Sequence, residues 1–199
     1  EYDNIKSVVN DYLKEGIAHT LDETRNLSDS GQFEDISLQQ GIRQILYPYE
    51  EMEVLNPEWE VILKDIIDSL FEQMRDEEYN ILNEEFGTYM VSRAYEYRQL
   101  LEYLVFRYFA KSIYDYDFLG KCQMLVTNFF VIRQMDIIRW LDNHREYSFK
   151  DRMDVVHIFS RQVEYSEDNI ENLYEDFIFD DIFKTDSLIA ILWIDSENI

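Results

Sequence analysis

Apolar side chains recur at three- and four-residue steps along most of the chain, which is the spacing of amphipathic helices. The clearest example is the segment 57–74, where apolar residues repeat from Trp59 to Met74. Asn56 stands where a helix N-cap is expected, and Pro57 stands at the first helical position. The same spacing predicts a helix over residues 2–15, and serines 37, 148 and 166 each precede a further predicted helix.

The stretch 97–142 is the most apolar part of the chain and divides at Asp115–Asp117 into two predicted long helices. The first extends from about Met90 to Ile113 and is apolar on nearly every side, which is typical of a buried helix. The second extends from about residue 118 to 141. The pattern therefore predicts an all-α protein. Its architecture is a single-domain irregular bundle of about seven to nine helices around two long central helices, spanning residues 1–199.

Local signals predict several boundaries. Residues 22–35 are polar and predict a loop, and Gly16 is a possible stop for the first helix. The helix that starts at Ser37 is expected to end before Pro48, and Gly87 is expected to end a helix over residues 77–86. The apolar run 188–194 fits a helix or a strand, and a helix is the prediction because it agrees with the rest of the chain.

Composition and charge narrow the function classes. Five glycines and two prolines among 199 residues leave little turn chemistry for a large sheet. The formal net charge is −24, yet residues 93–161 hold eleven Lys/Arg and nine Asp/Glu, so the acidity lies in the flanking segments. Such charge disfavours nucleic acid and anionic membranes as partners.

The apolar runs bear on the location of the protein, and the first residue bears on the extent of the chain. Charged residues interrupt the apolar run 118–141, so no membrane insertion is predicted. We expect a cytoplasmic protein. Because the sequence begins at Glu1 without a methionine, it is expected to be the C-terminal part of a longer protein.

The catalytic patterns that residue spacing can reveal are mostly absent from the sequence. It has no phosphate loop, no GxGxxG and no nucleophile elbow, and Cys122 is its one cysteine. The three histidines are far apart, so no metal site is predicted. His157 lies between apolar neighbours and is expected to be a packed core histidine.

A polar group at residues 160–165 is the local pattern most suggestive of a site. Ser160, Arg161, Glu164 and Tyr165 fall at helical spacing. One interpretation is a structural Arg161–Glu164 ion pair on the helix surface. The other is a patch lining a ligand cleft, in which Arg161 would bind a carboxylate. Spacing alone favours the structural interpretation.

Three segments resemble blocks of the flagellin lysine N-methylase family, and they occur in the same order. They are MEVLNPEW (52–59), LEYLVFRYF (101–109) and FSRQVEYSEDN (159–169). The resemblance covers roughly residues 45–175. Arg107, Ser160, Arg161 and Glu164 match the family as they stand. Two residues depart from it. Leu101 stands in the polar pair of the second block, and Tyr165 replaces a histidine of the third block.

The resemblance implies a helical C-terminal domain of a protein that transfers methyl groups from S-adenosylmethionine to flagellin lysines. This makes S-adenosylmethionine the implied cofactor and flagellin the implied protein partner. The candidate ligand or substrate patch consists of Arg107, Ser160, Arg161, Glu164 and Tyr165. Family members also carry an upstream cysteine cluster, which this chain lacks, so the isolated chain is expected to be inactive. The alternative is a non-catalytic acidic helical module that binds a protein partner.

Overall fold

Hydrogen-bonded caps set where several of the helices begin, and their placement follows the sequence closely. In the computed structural model, which describes residues 37–197, the side chain of Asn56 accepts a hydrogen bond from the Glu58 N–H, and Pro57 is the first helical residue. The Ser166 hydroxyl accepts from the Asn169 N–H at 3.1 Å. These caps satisfy N–H groups that would otherwise lack a partner at the first turn.

The α-helices begin and end as follows: α1 Leu38–Glu50, α2 Pro57–Ile66, α3 Asp76–Met90, α4 Ala94–Arg107, α5 Ser112–Asp115, α6 Phe118–Asp142, α7 Phe149–Phe159, α8 Glu167–Phe179 and α9 Thr185–Glu197. Two π-helical segments, Ile67–Glu72 and Ser160–Glu164, continue α2 and α7. Short 3₁₀ segments lie at Val91–Arg93, Phe109–Lys111 and Asp181–Phe183. No strand occurs within residues 37–197, so the all-α prediction is confirmed.

Helix α6 lies at the centre of this part of the molecule. It packs against α1, α2, α4, α7, α8 and α9, and it buries apolar residues on several faces, including Phe130, Met135 and Ile138. Charged and polar side chains on the same helix are also buried, and each of them needs a partner because desolvation is costly. The prediction of one long central helix at 118–141 is confirmed.

The second predicted central helix is only roughly right. Residues 90–113 are not one continuous helix: α4 has a 3₁₀ segment on each side, which separates it from the end of α3 and the start of α5. Helix α4 buries one stripe, formed by Glu96, Leu100 and Leu104, while Phe106 is 82% exposed. A helix with apolar residues on every side, such as α4, is therefore not always buried on every side. Its exposed aromatic side chains need another explanation.

Two predicted helix ends are wrong. Helix α1 continues through Pro48 to Glu50, and α3 continues through the buried Gly87 to Met90. Pro48 removes one backbone hydrogen bond. However, its neighbour Tyr49 is fully buried and donates to Asn128 Oδ1 at 2.6 Å. Tertiary contacts thus override the local stop signal.

Of the remaining boundary predictions, one lies within the described residues and two lie outside them. The apolar run 188–194 lies inside α9, so the helix prediction is confirmed. The predicted helix 2–15 and loop 22–35 lie outside the described residues. The residues that are described belong to one compact unit, Ser37–Ile199. A single domain over residues 1–199 stays a prediction.

The helix start predicted at Ser148 is confirmed, and the capping box found there allows a first test. The Ser148 hydroxyl accepts from the Asp151 N–H, and Asp151 accepts in return from the Ser148 N–H at 2.8 Å. We expect Ser148→Ala to lower the free energy of unfolding by about 1 kcal/mol. Ser148→Asp is the control, because an aspartate can cap the same N–H groups. Equal stability of the alanine variant and the parent in urea unfolding would contradict a stabilising cap.

Candidate functional site

The π-helical segment Ser160–Glu164 at the end of α7 determines which of the predicted site residues point inward. A π-helical turn contains an extra residue, and such turns occur frequently at functional sites. Here Gln162, Val163 and Glu164 are buried, whereas Arg161 and Tyr165 are exposed. The wider turn separates Arg161 from Glu164, and the structure shows no ion pair between them. The surface Arg161–Glu164 pair expected from helical spacing is therefore wrong.

Two buried amides fix the loop that leads into α2. Gln162 Oε1 accepts from the backbone N–H groups of Leu55 and Asn56, and Gln162 Nε2 donates to the Glu53 carbonyl at 2.7 Å. Asn169 Nδ2 donates to the same carbonyl at 3.1 Å, and Asn169 Oδ1 accepts from the Glu53 N–H. Both amides are fully buried. The loop 53–56 is thereby held against the π-helical turn.

Glu164 is the centre of a second buried group. Its carboxylate accepts hydrogen bonds from the hydroxyls of Tyr103 at 2.6 Å, Ser160 at 2.8 Å and Tyr108 at 3.2 Å. Arg107 supplies a positive charge, since its Nε lies 3.9 Å from Glu164 Oε1 and its Nη2 donates to the Glu164 carbonyl. A buried carboxylate with these partners is well compensated.

The tyrosines of this group stay protonated at neutral pH. Partial burial, followed by the hydrogen bond to Glu164, raises the pKa of Tyr103 to about 12. Burial also raises the pKa of Tyr108, and the negative charge of Glu164 adds to that effect. Both hydroxyls therefore act as donors that position Glu164, and neither is suited to act as a base at neutral pH.

The three segments of the family resemblance meet at this turn. Segment 52–59 is held by Gln162 and Asn169, and segment 101–109 supplies Tyr103, Arg107 and Tyr108 to Glu164. Segment 159–169 contains the turn itself. Residues that are about 60 and 110 positions apart in sequence are thus joined by buried or partly buried polar contacts.

A charged groove lies on the exposed side of the same turn, between α2, the end of α6, and α7. Its volume is about 460 Å³. It is lined by Asn56, Glu58, Val61, Ile62, Asp65, Arg139, Asp142, Asp154, His157, Ile158 and Arg161. Arg161 is therefore the member of the predicted patch that reaches this groove. His157 also lines it and is exposed, so the prediction of a packed core histidine is wrong.

The groove combines positive and negative side chains that have few protein partners. Within residues 37–197, Arg139 and Arg161 form no salt bridge, and neither do Glu58, Asp65 and Asp142. Asp154 pairs with Lys150 on the surface of α7. Guanidinium groups bind carboxylates, and carboxylates bind ammonium groups and hydroxyls. The arrangement suits a small ligand that carries both kinds of charge.

The predicted site residues thus divide into three places. Arg107, Ser160 and Glu164 form the buried group, Arg161 lines the groove, and Tyr165 is 79% exposed and lines neither. Sequence reasoning missed Arg139, Asp142 and the acidic residues of α2. Arg139 and Asp142 lie three residues apart at the end of α6, which is a weak signal. Only tertiary packing brings them beside Arg161.

A second group of buried charges lies around Asp136 but is closed to solvent. Asp136 is fully buried and accepts from Tyr97 at 2.8 Å, from Tyr147 and from Arg152. Burial raises the pKa of Asp136, and the positive charge of Arg152 opposes that rise. The carboxylate at its centre is inaccessible to a ligand, and its hydrogen bonds link α4, α6 and α7.

Three comparisons with known proteins complete the description of the chain. The family model for the FliB lysine N-methylase C-terminal domain matches residues 1–191. Searches of curated proteins and of solved structures return no match. Among residues 37–197, none of the helices has the length and apolar character to cross a membrane. The family match extends beyond both ends of the segments that suggested it, and the chain belongs to the FliB lysine N-methylase C-terminal domain family.

Proposed function

We propose that this domain binds S-adenosylmethionine in the charged groove and so contributes to lysine N-methylation. The observation that carries the proposal is the groove itself, which Arg139 and Arg161 line together with Glu58, Asp65 and Asp142, carboxylates that have no salt-bridge partner among the described residues. When bound, S-adenosylmethionine supplies the methyl group. The residues of this chain would bind and orient it.

The side chains of the groove fit the chemistry of this ligand. Arg161 and Arg139 can bind its α-carboxylate, and Asp142 or Asp65 can bind its α-ammonium group. Carboxylates such as Glu58 can accept hydrogen bonds from the ribose hydroxyls. The positive sulfonium group is favoured by the acidic lining, and Val61 and Ile62 offer apolar surface for the adenine ring.

The position and size of the groove support the proposal. Its volume of about 460 Å³ lies within the range of about 300–1,000 Å³ that is typical of small-molecule sites. One wall begins at Asn56, which the buried Gln162 holds through its backbone N–H. A wall that is fixed in this way keeps the groove in one shape before the ligand arrives, which lowers the entropic cost of binding.

The test is a calorimetric titration of S-adenosylmethionine into the 199-residue chain and into Arg161→Ala. Loss of a charge-assisted contact is expected to weaken binding by about 10- to 100-fold. Arg98→Ala is the matched control, because Arg98 is exposed and pairs with Glu102 on α4, and it should bind like the parent. Adenosine lacks the amino-acid end, so its binding should not respond to Arg161→Ala. S-adenosylmethionine affinity that is unchanged in both Arg161→Ala and Arg139→Ala, or absent from the parent, would reject the proposal.

The second candidate is an acidic helical module that binds a protein partner without catalysis, such as a flagellin segment that presents a lysine. The excess of carboxylates in the groove favours it, because an ammonium group on a peptide would be attracted there. Tyr165, which stands at the position of a family histidine, also favours it. A lysine-bearing peptide that binds the parent chain while S-adenosylmethionine does not would support this candidate over the first.

A further inference from the structure

The end of α4 and the turn that leads to α6 expose several large apolar side chains close together in sequence, which we name the aromatic corner. It consists of Phe106, Ile113, Tyr114, Tyr116, Phe118 and Leu119, which are between 52% and 86% exposed. Phe118 also packs against Phe109, which is 36% exposed, with ring centroids 6.0 Å apart. Single exposed apolar residues are normal, but six of them within fourteen positions are not.

We propose that the aromatic corner is the interface through which two copies of this chain form a dimer. An aromatic side chain presents about 150–250 Å², so the exposed fractions of these six residues amount to roughly 800–900 Å². That exceeds the largest apolar patch of a typical monomer, about 300–600 Å². It matches the roughly 800 Å² per partner that a stable interface buries.

The charge distribution favours a second copy at this surface. Two molecules with a net charge of −24 repel each other, so a contact between copies must form where the acidity is lowest. Residues 103–121 contain Arg107, Lys111 and Lys121 against Asp115 and Asp117, a balance of +1. Lys121 lies 3.0 Å from Asp115 and 3.7 Å from Asp117, so its positive charge partly offsets both acids of the corner.

One residue of the corner, Tyr116, has a rare backbone conformation. Tyr116 has φ 60°, in the left-handed region that non-glycine residues rarely adopt, and its N–H donates to the Ser112 carbonyl at 2.9 Å. A non-glycine residue is disfavoured in this conformation because its Cβ crowds the backbone. The side chain of Tyr116 is 80% exposed, so the free chain gains little burial in return. A partner surface would provide it.

An adjoining groove gives the interface depth. It has a volume of about 670 Å³ and is lined by Leu119 of the corner and by Tyr174, Phe177 and Ile178 of α8. In a two-fold contact, each copy presents the same surface to the other, so an exposed ring of one corner can enter the groove of its partner. The corner and this groove share no residue with the charged groove.

The test measures the mass of the 199-residue chain by sedimentation equilibrium between about 1 and 100 μM. The parent is expected to form dimers. Phe106→Ser and Tyr114→Ser are each expected to raise the dissociation constant about 10- to 100-fold, as substitutions of central aromatic residues do. Ile81→Ser is the control, because Ile81 is an exposed apolar residue on α3, outside the corner. Circular dichroism checks that each variant keeps the helical content of the parent.

Salt provides a second measurement. Because the copies repel through their net charge, the dimer should become tighter between about 50 and 500 mM salt, whereas a contact made by ion pairs would weaken. A parent chain that stays monomeric at 100 μM would overturn the proposal and leave the corner to a different occupant. A dimer that weakens equally in Ile81→Ser, or that persists in both corner variants, would also overturn it.

Discussion

Replacement of Arg152 by methionine is expected to lower the free energy of unfolding by about 3–5 kcal/mol, because it leaves a buried carboxylate without its cation. Arg152 donates to Asp136 and has its Nε 3.6 Å from Glu96 Oε2. Its guanidinium also lies 4.2 Å from the centre of the Tyr97 ring. Urea unfolding followed by circular dichroism measures the loss. Arg98→Met is the control, because the Arg98–Glu102 pair is exposed and should contribute no more than about 0.5 kcal/mol.

The pH dependence of this variant gives an independent check. Burial already raises the pKa of Asp136, and removal of Arg152 takes away the charge that opposes the rise. A carboxyl group whose pKa is higher in the folded state than in the unfolded state, where it is about 3.9, favours folding when it is protonated. That contribution is lost as the pH rises through the pKa of the folded state. The stability deficit of Arg152→Met should therefore shrink as the pH is lowered from 7 toward 4.

A further variant keeps this prediction testable if Arg152→Met does not fold. The double variant Asp136→Asn with Arg152→Met removes both charges, so it should be more stable than Arg152→Met alone. A loss below about 1 kcal/mol in the single variant, with no change of the deficit between pH 7 and pH 4, would contradict a buried ion pair.

Local signals predicted the helix starts well, because a cap is satisfied within four residues. Asn56, Ser148 and Ser166 each make the backbone hydrogen bond expected of them. Helix ends were less predictable, since a weak termination signal is overridden when tertiary contacts bury the residue that follows it. Tyr49 after Pro48 is the example, with its hydroxyl bonded to Asn128, 79 positions away.

Burial on a given helix face was predictable only where polar residues mark the opposite face. In 57–74 they do, and Trp59, Ile62 and Ile66 are buried as their spacing indicates. Helix α4 is apolar on all sides, so the pattern could not distinguish the buried Leu104 from the exposed Phe106. If the aromatic corner binds a second copy, the all-round pattern reflects two contacts, one with α6 and one with the partner.

The candidate site was partly predictable, because three of its residues lie within five positions. The spacing of Ser160, Arg161 and Glu164 assumed an α-helical turn, whereas the π-helical turn sends Glu164 inward and leaves Arg161 at the groove. Arg107 entered through the family resemblance, and the structure places it beside Glu164. Arg139 and Asp65 come from other helices, so no local pattern could have joined them to Arg161.

Gln162→Leu is expected to lower the free energy of unfolding by about 2–4 kcal/mol, since each buried backbone group that loses its partner costs about 1–3 kcal/mol and relaxation recovers part of this. Gln162 is fully buried and accepts from Leu55 and Asn56 while donating to Glu53. Leucine has a similar size but no hydrogen-bonding group. Gln44→Leu is the control, because Gln44 is exposed on α1 and should change the stability by less than about 0.5 kcal/mol.

A double-mutant cycle tests whether Gln162 and Asn169 act together. Both donate to the Glu53 carbonyl, so once one donor is lost the other still satisfies that oxygen. The combined variant Gln162→Leu with Asn169→Leu should therefore differ from the sum of the single losses by at least about 0.5 kcal/mol, measured by urea unfolding of the four proteins. Additivity within about 0.3 kcal/mol would show that the two amides act independently.

The Gln162→Leu variant also tests whether the buried amide affects the proposed ligand site. Release of Glu53–Asn56 frees the start of α2, which carries Asn56 and Glu58 into the groove. Gln162→Leu should thus weaken S-adenosylmethionine binding although Gln162 does not line the groove. Binding measured well below the unfolding transition separates this effect from loss of folded protein. Affinity equal to that of the parent would mean that the groove keeps its shape without the hydrogen bonds of Gln162, and that Gln162 contributes to stability alone.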